Sequence, residues 1–169
     1  MDILEEIKSR RSVRKFQKKE INKEDIDKLL QATMAAPSAI DRRPWEFYVI
    51  TNEEKLAKIR EIMPFGKYES PLIIIPVINR LKIIPFKKEL AVCDLSAATE
   101  NILLEASSLG IGSVWCAVYP DKALMNKIKI ALDMPLHLAP FCAIYLGYPL
   151  EDDKGKPKDK YDTKNIHFI

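Results

Sequence analysis

Residues 87–109 place Leu90, Cys93, Ala97, Ala98, Ile102, Leu103 and Ala106 so that apolar groups cover most of a helical circumference. A surface helix is wet on one side, so this one is expected at the centre of the fold or at a subunit interface. Its small residues, Ala97, Ala98, Ser107 and Ser108, suit close packing against another helix. Just before it, the aliphatic run 72–78 reads as an interior strand, with Pro76 pushing it toward a sheet edge or a bulge. A chain of 169 residues, 47% hydrophobic and 30% charged, can enclose both in one core.

The remaining pattern fills in around them. Ile3, Leu4 and Ile7 predict a short amphipathic helix, and Asn22 can cap a second whose stripe is Ile26, Leu29, Leu30, Thr33 and Met34. Pro37 and Ser38 stop it. Trp45 to Ile50 reads as a strand, and Thr51 with Glu54 as a capping box for a helix carrying Leu56, Ile59 and Ile62. A Gly110/Gly112 turn leads into a strand at 113–118, Pro120-Asp121 opens a helix, and 140–146 is the last strand. The class is α+β, with helices outnumbering strands. Residues 1–149 form the expected domain. Residues 150–169, five basic and five acidic, form a tail too polar to fold on itself, expected to be loose or laid across another surface.

Several chemistries find no support. Cys93, Cys116 and Cys142 make neither a metal pair nor an even disulfide set and read as small core residues in a reducing compartment. His137 and His167 lack partners at metal spacing, so no metal site is expected. Trp115 stands where a dinucleotide fingerprint needs its third glycine, and no phosphate-loop or nucleophile-elbow motif occurs. The apolar stretch 139–150 is too short to span a membrane, and the charged start MDILEEIK is unlike a secretory leader, which predicts a cytoplasmic protein. Glu151-Asp152-Asp153 reads as a solvated charge run with no assigned role.

Net charge is only +3, yet seven basic residues and no acid lie between Lys8 and Lys19. Within that stretch Arg10, Arg11, Ser12 and Arg14 are residue types that clamp a phosphate. Solvated surface and nucleic-acid contact are the other readings, although Phe16 is the only interleaved aromatic. Pro37-Ser38-Ala39 ahead of Pro44-Trp45-Glu46-Phe47 is a small-residue loop where backbone could approach a flat ligand. Taken in isolation it reads first as an ordinary helix stop with a core Trp.

Taken in order, these motifs resemble the nitroreductase family of FMN-dependent oxidoreductases. RRSxRxF stands complete at residues 10–16, and APSAxNxQPWxF stands at 36–47 with Asp41 and Arg43 in place of the Asn and Gln. Leu109 to Ser113, Leu146-Gly147-Tyr148-Pro149 and the tail at 156–161 are similar to later landmarks.

The resemblance implies a nitroreductase-like fold: a central, mostly antiparallel sheet flanked by helices, with the long helix at a homodimer interface that holds two FMN. It implies that Arg10, Ser12 and Arg14, with Arg11 beside them, grip the phosphate and ribityl chain together with Lys158 and Lys160. Pro37, Ser38, Ala39, Asp41 and Arg43, with Ala117 and Val118, would flank the flavin ring, in part from the other subunit. NADH or NADPH would reduce the flavin and a nitroaromatic, quinone or similar small oxidant would take the electrons, ping-pong, with no protein residue catalytic in itself. Arg43 or Arg42 is expected to pair with Asp41 and keep the field near neutral. Cys116 is expected to be a core thiol. A same-fold reductive dehalogenase or flavin reductase, or an anion- or nucleic-acid-binding protein using residues 8–19, are the alternatives; no nucleic acid and no membrane partner is the reading adopted.

Overall fold

The computed structural model describes residues 2–153, 155–157 and 160–169. Polar caps start the helices. Asp2 accepts from the Leu4 N–H ahead of α1 (Ile3–Ser9), and Asn22 from Asp25 ahead of α2 (Lys23–Met34). Before α3 (Glu53–Ile62) the cap is Asn52, accepting from Lys55, which corrects the expected Thr51/Glu54 box. The helix begins one residue later, so the orphan N–H in reach belongs to Lys55. Asp121 caps α5 (Lys122–Ala131) with bonds from Ala123 and Leu124.

The strands are β1 (Trp45–Ile50), β2 (Leu72–Asn79), β3 (Gly112–Ala117), β4 (Leu138–Pro140) and β5 (Cys142–Gly147). Their order is β1-β2-β5-β3 with β4 also on β2, and every strand pairing is antiparallel. Strand β2 is buried along its whole length and is interior, not an edge. Its Pro76 is tolerated at a bulge. From Val77↔Pro140 to Ile74↔Ile144, β2 advances three residues while its neighbour advances four. The last strand therefore divides around Phe141, whose N–H reaches the Pro76 carbonyl at 2.9 Å on the side where proline offers no donor.

Helix α4 (Lys88–Ser108) is the central one: Leu95, Ala98, Ile102 and Ala106 are fully enclosed. Two side-chain bonds lock its crossing with α2. Thr33 Oγ1 donates to the Ala98 carbonyl at 2.7 Å, and Asn101 Nδ2 to the Ala32 carbonyl at 2.9 Å. Among the described residues α-helices and strands are equal in number, so helices do not outnumber strands; only by adding the two short 3-10 turns, Ala39–Asp41 and Thr163–Asn165, would they. The cysteines also differ from expectation, since only Cys142 is buried; Cys116 is half-buried and Cys93, at the outer side of α4, is exposed. No helix among the described residues is long and apolar enough to cross a membrane.

Candidate functional site

After α1 the basic stretch leaves the helical path and runs extended along the free edge of β3. Ser12 bridges Ser113 in parallel, the Val13 N–H reaches the Ser113 carbonyl at 2.9 Å, and Phe16 bridges Pro149. Strand alternation sorts the first side chains: Val13 is buried while Ser12 and Arg14 on either side of it face out, and Phe16, beyond the exposed Lys15, is buried again at its bridge to Pro149. The arm lies close. A Cβ on Gly112 would stand 2.7 Å from the Val13 Cβ, and one on Gly147 2.9 Å from Phe16 Cδ1. Phe16 is thus core, not a stacking platform.

The outward side chains open on a cavity of about 650 Å³. Arg10, Arg11, Ser12 and Arg14 from the arm meet Lys156 and Lys160 from the tail there, with Leu4 and Ile7 of α1 as an apolar wall. Several of these charges are matched within the chain. Arg10 Nε lies 3.1 Å from Glu100 of α4. Arg11 gives both terminal nitrogens to Asp153, Nη1 to the carboxylate and Nη2 to the carbonyl, each at 2.6 Å. Lys15 pairs with Asp152 at 2.7 Å, a hydrogen bond that raises its ammonium pKa.

The acidic run is solvated at Glu151 and Asp152, but Asp153 is half-buried and bonded to the arm, and the expectation is corrected there. Burial works to raise the Asp153 carboxyl pKa, but hydrogen bonds from the Arg14 N–H, the Arg11 guanidinium and the Lys15 N–H together hold it below the usual carboxylate range. These acids were hard to foresee, because Arg11 and Asp153 are 142 positions apart.

The second motif forms a loop of a different kind. Ile40, Asp41 and Arg43 have φ of 46°, 53° and 46°, left-handed values at three non-glycine residues. Each costs about 1–3 kcal/mol and persists only where surroundings fix it. The fixing bonds are visible: the Ala39 N–H donates to Asp94 Oδ1 at 2.9 Å, the Arg43 N–H to Ser38 Oγ at 3.0 Å, and the Asp41 N–H to the Ser38 carbonyl at 3.0 Å. Asp94 is a buried carboxylate on α4 that sequence reasoning passed over as a core position. Arg43 grips Asp41 with two nitrogens, at 2.7 and 2.6 Å. The hydrogen-bonded guanidinium lowers the Asp41 carboxyl pKa, and the carboxylate raises that of Arg43. Arg42 instead donates to the Lys82 carbonyl at 3.0 Å.

Within one chain the two groups are not brought together. Glu100, beside Arg10, and Asp94, beside Ala39, are six residues apart on α4, so about 9 Å along its axis and roughly 120° around it. Ala117, exposed, ends β3 about 13 Å along the strand from the Ser113 bridge, and Val118, buried, follows it. Lys158 lies outside the described residues. The nearby Cys116 thiol has its pKa pushed up by burial, with Arg14 acting weakly in the other direction.

Residues 7–64 match the profile described as the Nitroreductase family. A protein of Methanothermobacter thermautotrophicus, named provisionally as an NADH dehydrogenase/NAD(P)H nitroreductase, is 45% identical over 99% of this chain and 87% of its own length. The solved structure of a Parabacteroides distasonis protein with the same provisional name superposes with a TM-score of 0.90 at 40% identity, covering 98% of this chain and 96% of that one. That of an FMN-dependent nitroreductase from Clostridium difficile does so with a TM-score of 0.87 at 31% identity, covering 98% of each.

Proposed function

This chain belongs to the nitroreductase family and is an NAD(P)H-dependent oxidoreductase, and on that premise we propose that it is an FMN enzyme whose basic arm and tail hold the cofactor phosphate. The supporting observation is the shared cavity. Arg10, Ser12 and Arg14 converge with Lys156 and Lys160 on a space of about 650 Å³, within the size range of small-ligand sites. A phosphate ester carries a charge near −2, and guanidinium and ammonium donors supply the charge-assisted bonds it needs. Lys158 joins them in this reading by resemblance alone.

Bound there, FMN would supply two-electron transfer from NADH or NADPH to a nitroaromatic, quinone or similar small oxidant in ping-pong order. The protein's own residues bind and orient. Arg10, Arg14 and Lys160 neutralise the phosphate end, the Ser12 hydroxyl donates to it, and Arg11 stands at the edge of the same cavity. Pro37, Ser38 and Ala39, held rigid by Asp94, present a small-residue backbone surface to a flat ring, and the Asp41–Arg43 pair sets the charge beside it. Ala117, exposed at the end of β3, and the backbone of the buried Val118 join that wall by resemblance alone.

Because the two groups look to different sides of α4, each site takes one group from each subunit of a homodimer, built on a core of residues 1–149 with the tail 150–169 laid across it, working in the cytoplasm. The test compares FMN with riboflavin, which lacks the phosphate. Arg14→Ala is expected to weaken FMN at least about tenfold and leave riboflavin unchanged. Equal affinity of the unmodified protein for both flavins, or no flavin binding at all, would remove the phosphate site.

A further inference from the structure

We propose that Arg11 and Asp153 form a positioning lock: the pair seats the start of the tail on the basic arm so that Lys156 and Lys160 face the anion cavity, and Arg11 itself is not a phosphate ligand. The inference rests on the FMN reading for its ligand, but the lock stands on its own geometry.

Arm and tail are zipped residue by residue up to this pair. The Gln17 N–H reaches the Tyr148 carbonyl at 2.8 Å and its side-chain amide the Pro149 carbonyl at 2.8 Å. The Leu150 N–H then reaches the Lys15 carbonyl at 3.0 Å. Asp153 closes the zip from both of its oxygens. One takes Arg11 Nη1 at 2.6 Å, while the other takes the Arg14 and Lys15 N–H groups at 3.1 and 3.3 Å. Arg11 answers with Nη2 on the Asp153 carbonyl, so a planar fork fixes both the side chain and the direction in which the chain leaves.

The next described residue lies on the same fork, since a Cβ on Gly155 would stand 3.1 Å from Arg11 Nη1. Lys156 follows on the cavity wall. The same carboxylate holds the Arg14 backbone, which leaves the Arg14 side chain pointing outward at the cavity from the other side. One buried-edge pair thus sets the spacing between the arm cations and the tail cations. The guanidinium that makes this lock spends its charge on the partly buried Asp153 carboxylate and points both terminal nitrogens at Asp153, each at 2.6 Å, so it is oriented as an anchor for the tail and not toward a phosphate.

The test uses the full-length protein with Asp153→Ala, and Asp153→Asn as a volume-preserving variant should the first fail to fold. Hydrogen–deuterium exchange is expected to speed up about tenfold at the Arg14 and Lys15 amides and at Gly155, Lys156, Lys160 and Tyr161, with α4 and the sheet unchanged. FMN titration should weaken by about tenfold while riboflavin stays the same. Lys160→Ala should weaken FMN in the native background but add nothing once Asp153 is Ala, and Arg11→Lys should likewise add nothing there. Unchanged exchange, or a full additive loss from Lys160→Ala or Arg11→Lys in the Asp153→Ala protein, would overturn the lock. If the native protein does not prefer FMN to riboflavin, the flavin reading falls, and the exchange pattern alone decides whether the lock exists.

Discussion

Arg43 and Asp41 occupy positions where the family pattern carries neutral amides, and here they cancel each other. The fork is bidentate, and both partners are exposed, so its value to stability is small. Its effect on the flavin proposed to lie beside it is another matter. Removing the guanidinium leaves an unpaired carboxylate beside a ring that becomes anionic on reduction, and like charges disfavour that state. Arg43→Ala is therefore expected to lower the FMN midpoint potential, read by anaerobic dye-linked reduction; an unchanged or higher potential would contradict the placement of this loop at the flavin. The pairing of Asp41 with one of its two arginine neighbours was legible in sequence because the partners sit within a single turn. Which arginine was not, since Arg42 is claimed by the Lys82 carbonyl of a separate loop. Glu100 and Asp153 were illegible for the same reason on a larger scale. An ion pair between distant segments depends on where the chain folds back, and periodicity says nothing of that.

At the scale of elements, the contact of the arm with β3 governs where Ser12 and Arg14 point. Gly112 leaves no room for a side chain against Val13. Gly112→Ala should cost about 1–3 kcal/mol by overpacking, measured by denaturant unfolding, and combined with Val13→Gly, which removes the opposing Cβ, it should cost less than the sum of the two single losses. An Ala at 112 with native stability would mean that the arm is not packed on β3 as described. The main elements themselves were readable: α4 from its all-round apolar pattern and β2 from its aliphatic run, because burial on all sides leaves a mark on composition. The break at Phe141 left none. The strand 140–146 is apolar without interruption, and what divides it is Pro76 on the opposite strand, which lacks the N–H that a continuous ladder would use.

At the scale of the molecule, large apolar side chains stand open to solvent at both ends of the chain. None of α1 is buried, and its Ile3, Leu4 and Ile7 stand open to solvent. Beside it a groove of about 330 Å³ runs between α1, α2 and α4, with Ile7, Ala32, Ala35 and Leu104 in its walls. The far end of the tail carries the complementary excess: Phe168 is 96% exposed and Ile166 and Ile169 are open as well. Grouped apolar surface of this kind marks an association face. In the homodimer proposed above, joining two chains would cover this surface, and the Pro37 to Arg43 loop of one chain would meet the arm-and-tail cavity of the other. Sedimentation equilibrium should therefore give about twice the 19.4 kDa chain mass, and removing residues 162–169 should weaken the dimer and FMN binding together. A single-chain species that binds FMN stoichiometrically at every concentration would show that one chain completes its own site. A truncated dimer as tight as the native one would shift the seal from the tail to α1 and the groove beside it.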